Sequence, residues 1–133
     1  PSSIGQSFVA VLLDISNNNI QSTIPSWIGE WSNLEILEID GNSFTGDVPA
    51  SLLSLSSSLQ ELRLDGNFEL NGSIHDIMSS LSQLQVLDVS NTAHVGSFPT
   101  VDTLTDLRSF RLWNTQLTGT IPTEIGLWTS LGT

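Results

Sequence analysis

The chain has 133 residues, no cysteine and no lysine, and its 14 acidic residues against three arginines give a formal net charge of −11. This composition excludes a disulfide framework and a cysteine-based zinc site, and it argues against nucleic-acid binding, which needs clustered cations. No apolar run approaches the roughly 20 residues that cross a membrane, so we expect no direct membrane insertion of this segment. Serine, threonine and asparagine supply most of the polar surface, which favours an extracellular or cell-surface location.

One apolar pattern recurs along the whole chain. An alternating segment, predicted as a strand with one buried face, reads AVLLDISNN at 10–18, LEILEIDGN at 34–42, LQELRLDGN at 59–67, LQVLDVSNT at 84–92 and LRSFRLWNT at 107–115. Its first apolar anchors lie at 10, 34, 59, 84 and 107, and Leu131 begins a sixth copy. The pattern predicts one array of about five repeats over 1–133. Because the chain begins at Pro1, in phase with Pro25, and stops at Thr133, we expect both ends to fall inside repeats of a longer array.

A second block follows each strand. It reads IQSTIP at 20–25, FTGDVP at 44–49, LNGSIH at 70–75, HVGSFP at 94–99 and LTGTIP at 117–122. The glycine in four of these blocks predicts special backbone angles or close packing. The proline that ends four of them argues against a long helix.

The combined pattern L-x-x-L-x-L-x-x-N-x-L-x-G-x-I-P resembles the leucine-rich repeat. The G-x-I-P block is similar to the plant-specific subclass, found in ectodomains of receptor-like kinases and receptor-like proteins and in polygalacturonase-inhibiting proteins. The resemblance implies an α/β-type repeat solenoid with a curved parallel β-sheet on the concave side and short 3-10 or irregular segments on the convex side. It implies flanking repeats of the same chain as neighbours, because a repeat cannot bury its own face. The cysteine-paired caps usual in the family are absent from the sequence.

The turn after each strand has its own column of polar residues. Asparagine in three repeats is predicted to bond main-chain groups of the turn, whereas threonine in the last two predicts a weaker ladder there. The column is Asn18, Asn42, Asn67, Thr92 and Thr115. Trp31 and Trp128 share one position with three leucines, and both are predicted to be core residues.

Ligands of this family commonly dock on the concave face or on the lateral edges of its sheet, so the outward positions of the strands are the candidate surface. The column between the two apolar anchors alternates in charge from Glu38 through Arg63 and Asp88 to Arg111. This alternation predicts a cross-strand ion ladder, a recognition surface, or both. In the next column, Asp40 and Asp65 are neighbouring like charges. They indicate either two solvated carboxylates or a site for a basic ligand, and we expect no metal site because a flat sheet supplies few of the oxygens that calcium needs.

Trp113 lies in the same column as Asp40 and Asp65. With Arg108 and Arg111 it is predicted to form an aromatic and cationic patch of the residue types enriched in binding hot spots. The alternative is that its ring packs over a neighbouring side chain. The candidate ligand-binding residues are therefore Asp40, Asp65, Arg63, Arg111 and Trp113.

Three other features carry weaker signals. Asn71-Gly72-Ser73 is an N-glycosylation sequon, and His75 and His94 stand where proline and leucine occur in other repeats. No catalytic motif stands out, so we expect neither enzymatic activity nor a cofactor. The leading prediction is a non-catalytic module that binds a protein or peptide, including partners with basic patches, as part of a receptor. The alternatives are a structural segment of an extracellular complex, or binding of ice or a cell-wall enzyme.

Overall fold

The structure is a computed structural model, and it describes residues 9–99 and 104–132. Its ten strands in chain order are β1 Leu12–Asp14, β2 Gln21–Thr23, β3 Ile36–Glu38, β4 Ser43–Asp47, β5 Glu61–Arg63, β6 Glu69–Asn71, β7 Val86–Asp88, β8 Val95–Ser97, β9 Ser109–Arg111 and β10 Gln116–Thr118. Pro1 and Thr133 lie outside the described residues, so the position of the two ends within repeats stays a prediction.

The main sheet is parallel and has the strand order β1-β3-β5-β7-β9. Its register has no offset from one repeat to the next, and the central row of pairs is Leu13, Leu37, Leu62, Leu87 and Phe110. The three middle members of this row are fully buried, while Leu13 and Phe110 at the two ends are half-buried. The predicted repeat solenoid with its curved parallel sheet is confirmed, and its apolar anchors form one core.

The asparagine column forms the predicted bonds in the turns. Asn67 Nδ2 donates to Leu64 O at 2.8 Å and to Ile39 O at 3.1 Å, and Phe44 N donates to Asn67 Oδ1 at 2.9 Å. Asn67 therefore satisfies polar groups of two repeats inside the core. Thr92 Oγ1 donates to Val89 O of its own repeat at 2.6 Å. A threonine hydroxyl thus closes the turn locally where asparagine also ties two repeats together.

The sequence did not predict a second sheet, which lies on the side of the solenoid after each turn. It runs β2-β4-β6 and continues separately as β8-β10. Gln21 pairs with Ser43, although its sequence equivalent in the second repeat is Thr45, so the second sheet is staggered by two residues. An even stagger keeps each side chain on its own face, and this is why Phe44 and Leu70 both remain buried.

Short helices make up the convex side, as the sequence predicts. Three of them are 3-10 helices, which span Ser26–Glu30, Leu52–Ser54 and Thr123–Leu127. The helix of the third repeat, α1, is instead an α-helix over Ile74–Ser80. His75 replaces the proline of the other repeats. Because a proline disfavours helical geometry in the residue before it, its absence allows the helix to begin at Ile74.

Large aromatic side chains fill the convex side of the core. Trp31 and Trp128 are 7% and 3% exposed, which confirms both as core residues. The rings of Trp27 and Trp31 lie 5.3 Å apart, and Trp128 contacts the rings of Phe98 and Phe110. The tryptophans and Phe98 close the core on the side opposite the main sheet, and the main sheet contributes Phe110.

Candidate functional site

The outer face of the main sheet presents three columns of side chains. The first column is Leu12, Ile36, Glu61, Val86 and Ser109, the second is Asp14, Glu38, Arg63, Asp88 and Arg111, and the third is Ser16, Asp40, Asp65, Ser90 and Trp113. The third column follows the strands, yet main-chain bonds hold it in register. Gly41 N donates to Asp65 O at 2.8 Å, Gly66 N to Ser90 O at 3.1 Å, and Asn91 N to Trp113 O at 3.0 Å.

A residue with a left-handed backbone conformation follows each member of the third column. Asn17, Gly41, Gly66, Asn91 and Asn114 have φ between 53° and 71°. This region is accessible to glycine and, among other residues, most readily to asparagine and aspartate. The column therefore turns in the same way in every repeat, and its side chains lie next to one another across the sheet.

The second column forms an ion ladder. Its Arg63 also pairs with an acid of the first column, which the sequence did not predict. Arg63 Nε lies 3.0 Å from Glu38 Oε1 and also pairs with Glu61 of the first column. Arg111 Nη1 lies 3.5 Å from Asp88 Oδ2. Burial raises the pKa of the Glu38 carboxyl, and the charge of Arg63 partly offsets this effect. Arg63 thus serves two acids at once and leaves its part of the face with a net negative charge.

The two acidic residues of the third column, Asp40 and Asp65, lie close to other negative charges. Burial raises the pKa of Asp65, and the charges of Asp88 and Asp40 raise it further. In the described part of the chain, no ion pair reaches Asp65. Asp40 Oδ2 accepts a long hydrogen bond of 3.4 Å from Asn17 Nδ2. The two carboxylates are therefore held side by side without a cation of their own.

Trp113 ends the third column as a large exposed aromatic. Its side chain is 62% exposed, so the described repeats do not cover it. Its column neighbour Ser90 is 1% exposed, and the Ser90 hydroxyl has no hydrogen-bond partner within the described residues. Arg108 precedes β9, Arg111 ends this strand and Trp113 follows it, so the aromatic and cationic patch stays a prediction.

His94 is the most perturbed titratable group of the described residues. It is fully buried, its Nδ1 lies 2.8 Å from Thr92 Oγ1, and its Nε2 has no hydrogen-bond partner in the described structure. Burial lowers the pKa of His94 to about 4, against a smaller opposite effect of the Asp47 charge. His94 is therefore neutral at physiological pH and occupies the place of a core leucine. No group of three metal-ligating side chains occurs within residues 9–99 and 104–132.

The second sheet carries another surface feature that sequence reasoning missed. The third repeat has one more residue than the second between its asparagine and the next buried position, and Phe68 at this insertion is 70% exposed. It borders a groove of about 540 Å³ that is lined by polar side chains of β2 and β4 and by Glu69. The sequence indicates this insertion, because the step from Asn67 to Leu70 is one residue longer than the step from Asn42 to Phe44.

Comparisons with known proteins agree with this architecture. Two leucine-rich repeat family models match residues 11–68 and 106–128. The chain belongs to the leucine-rich repeat family.

Its relatives place this leucine-rich repeat chain in the plant receptor-like type. Receptor like protein 22 of Arabidopsis thaliana is 34% identical over 113 residues, which cover 85% of this chain and 11% of that protein. The ectodomain of the Arabidopsis receptor kinase GASSHO1/SCHENGEN3, solved with CASPARIAN STRIP INTEGRITY FACTOR 2, has 32% identity and a TM-score of 0.89 and covers 98% of this chain and 16% of that one. The Arabidopsis receptor kinase HAESA, solved with the peptide hormone IDA and the co-receptor SERK1, has 31% identity and a TM-score of 0.88 and covers 98% of this chain and 22% of that one. The chain thus spans less than a quarter of each of these proteins.

Two further observations bear on the setting of this leucine-rich repeat segment. None of the helices in the described ranges has the length and apolar character of a membrane span. Asn71 of the sequon is half-buried on β6, and Ser73 is exposed. The sequon therefore lies on the second sheet, away from the outer face of the main sheet.

Proposed function

We propose that this segment recognises a peptide or protein ligand through the outer face of its main sheet, as part of an extracellular or cell-surface receptor. The observation that carries the proposal is Trp113, a large aromatic residue that is 62% exposed in a column whose other members are small or acidic. Exposed tryptophan contributes strongly to binding when a partner desolvates it. The same face carries Asp40, Asp65, Arg63 and Arg111 on the strands β3, β5 and β9 and just after them.

The charge of the face favours a ligand with basic groups. Arg63 is already paired with Glu38 and Glu61, so Asp40 and Asp65 remain available to a cation from the ligand. The net charge of −11 would accelerate association with a basic partner at low ionic strength. The peptide hormone and the co-receptor in the HAESA structure support a peptide or protein as the partner. The proposed module is non-catalytic and uses no cofactor.

The proposal is tested by measuring the binding of synthetic decapeptides to the purified receptor that contains this segment. The decapeptides differ in net charge. We expect basic members to bind, with an affinity that falls as salt rises. Trp113→Ala should weaken the best binder at least about tenfold, as expected for a hot-spot residue. Asp47→Asn, which removes an exposed acid on the second sheet, is the matched control and should leave binding unchanged. Equal loss in both variants, or no binding by any decapeptide, would overturn the proposal.

A further inference from the structure

The groove on the second sheet is built from three neighbouring strands. Side chains alternate between the two faces of a strand, and the buried Phe44 and Leu70 fix which face of β4 and β6 points into the core. The side chains on the opposite face of β2, β4 and β6 that line the groove are Gln21, Thr23, Ser43, Thr45 and Glu69. The volume of about 540 Å³ lies within the range of roughly 300–1,000 Å³ that is typical of ligand sites.

Phe68 also lines this groove, and its main chain is held in place. Leu70 N donates to Asn67 O at 3.0 Å, which closes a tight turn around Phe68 and Glu69. Asn67 and Leu70 are both fully buried, so the two ends of this turn are anchored in the core. The phenyl ring is nevertheless 70% exposed. An exposed aromatic ring on a fixed turn lowers the entropy cost of binding a ligand to it.

The polar lining of the groove is mostly neutral. Gln21, Thr23, Ser43 and Thr45 offer hydroxyl and carboxamide groups, which both donate and accept hydrogen bonds. Within residues 9–99 and 104–132, these four side chains form no hydrogen bond with another protein group. Of the described residues that line the groove, Glu69 alone is charged. The groove therefore suits a ligand that is rich in hydroxyl groups.

The charge and the strand pairing disfavour other classes of ligand. An acidic saccharide or a phosphate would meet the Glu69 carboxylate and a chain with a net charge of −11. An extended peptide could bind by adding a strand. However, the main-chain groups of β4, in the middle of the groove, already pair with β2 and β6.

We propose that this groove binds a neutral oligosaccharide with flat, equatorially substituted pyranose rings. The C–H face of such a ring is apolar and would stack on Phe68. Its hydroxyls lie at the ring edge, where Gln21, Ser43 and Thr45 would exchange hydrogen bonds with them and the Glu69 carboxylate would accept one. The site lies on the second sheet and does not depend on the ligand proposed for the main sheet.

The test measures saccharide binding to the purified receptor that contains this segment, by isothermal titration calorimetry. The probes are cellotetraose, whose ring hydroxyls are all equatorial, and tetragalacturonate, which is acidic. Every sample carries Asn71→Gln, because Asn71 lies on β6 two residues after Glu69 and a glycan there would crowd the groove. We expect cellotetraose to bind and tetragalacturonate not to bind. Absence of cellotetraose binding at millimolar concentration, or equal affinity for both probes, would overturn the proposal.

Variants locate the binding in the groove. Phe68→Ala should weaken cellotetraose binding about fivefold or more, whereas Phe68→Tyr should retain it. Ser43→Ala should weaken it about threefold, and Ser97→Ala, at an exposed serine of β8 outside the groove, is the matched control and should have no effect. Unchanged affinity in Phe68→Ala would refute the site. Decapeptide binding should be the same in Phe68→Ala and in the unmodified receptor, so failure of the saccharide site would leave the proposed function intact.

Discussion

The side-chain amide of Asn67 donates to the main-chain carbonyl of Ile39, which lies 28 residues earlier in the chain, at 3.1 Å. Ile39 belongs to the preceding repeat, and Asn67 is fully buried. This bond couples consecutive repeats through polar groups that water cannot reach. It explains why an asparagine, a residue that is unfavourable in a core without partners, stands in the middle of this one.

Replacement of Asn67 by alanine should therefore be strongly destabilising. The change leaves Leu64 O and Phe44 N without this partner inside the core, while Ile39 O keeps only its bond from Asn42 Nδ2. Since unsatisfied buried groups cost about 1–3 kcal/mol each, we expect a loss of about 3 kcal/mol in the free energy of unfolding, measured by urea denaturation. Asn18→Ala is the matched control. Asn18 is exposed, so water replaces its bonds and the loss should stay below about 1 kcal/mol; equal losses would contradict this account.

His94 should make the stability of the array dependent on pH. The folded protein holds the pKa of His94 at about 4, below its ordinary value of 6.5. Between these values the unfolded chain binds more protons than the folded one, so stability falls as pH falls from 6.5 to 4, by about 3 kcal/mol in total. Above pH 6.5 this contribution is constant.

The measurement compares the free energy of unfolding of the unmodified protein and of His94→Leu across this range. Leucine is the residue found at this position in two other repeats, at Leu70 and Leu117. The difference between the two proteins should grow as the pH is lowered, because the variant has lost the proton-binding group while its carboxylates remain. A difference that is independent of pH would show that His94 stays exposed to water in the folded state.

Truncation of Phe68 should affect stability much less than truncation of Phe44. Phe68 is 70% exposed, so Phe68→Ala should change the free energy of unfolding by no more than about 0.5 kcal/mol. Phe44 is 3% exposed, and Phe44→Ala should cost about 3 kcal/mol or more because it leaves a cavity. Thermal and urea denaturation of the two variants check this pair. A large loss in Phe68→Ala would place the inserted residue in the core.

Asn71 should carry an N-linked glycan when the protein passes through a secretory pathway. Asn71 is half-buried at the end of β6, and the exposed Ser73 completes the sequon. Intact-mass measurement of protein from a eukaryotic secretory host should show a mass increase that an N-glycosidase removes. The increase should be absent in Asn71→Gln and in Ser73→Ala. Decapeptide binding should be the same with and without the glycan, because the second sheet does not face the proposed ligand.

Part of the candidate site could be predicted from the sequence because repeats align in register. Once the period places Glu38, Arg63 and Asp88 in one column, their adjacency follows from the parallel sheet. The pairing of Arg63 with Glu61 could not be predicted in this way. Glu61 belongs to another column, and its choice as a partner depends on the direction in which a long side chain lies.

The sequence by itself determined the repeat architecture, since each copy places the same apolar, asparagine and glycine positions under the same physical constraint. Inward apolar residues recur in every repeat, while the turn asparagine recurs in three repeats and the glycine of the second block in four. Only the tertiary structure decided the stagger of the second sheet, the exposure of Phe68 and the pairing of Arg63 with Glu61. These features depend on how strands and side chains meet in space, and a period along the chain carries no information on the distances between them.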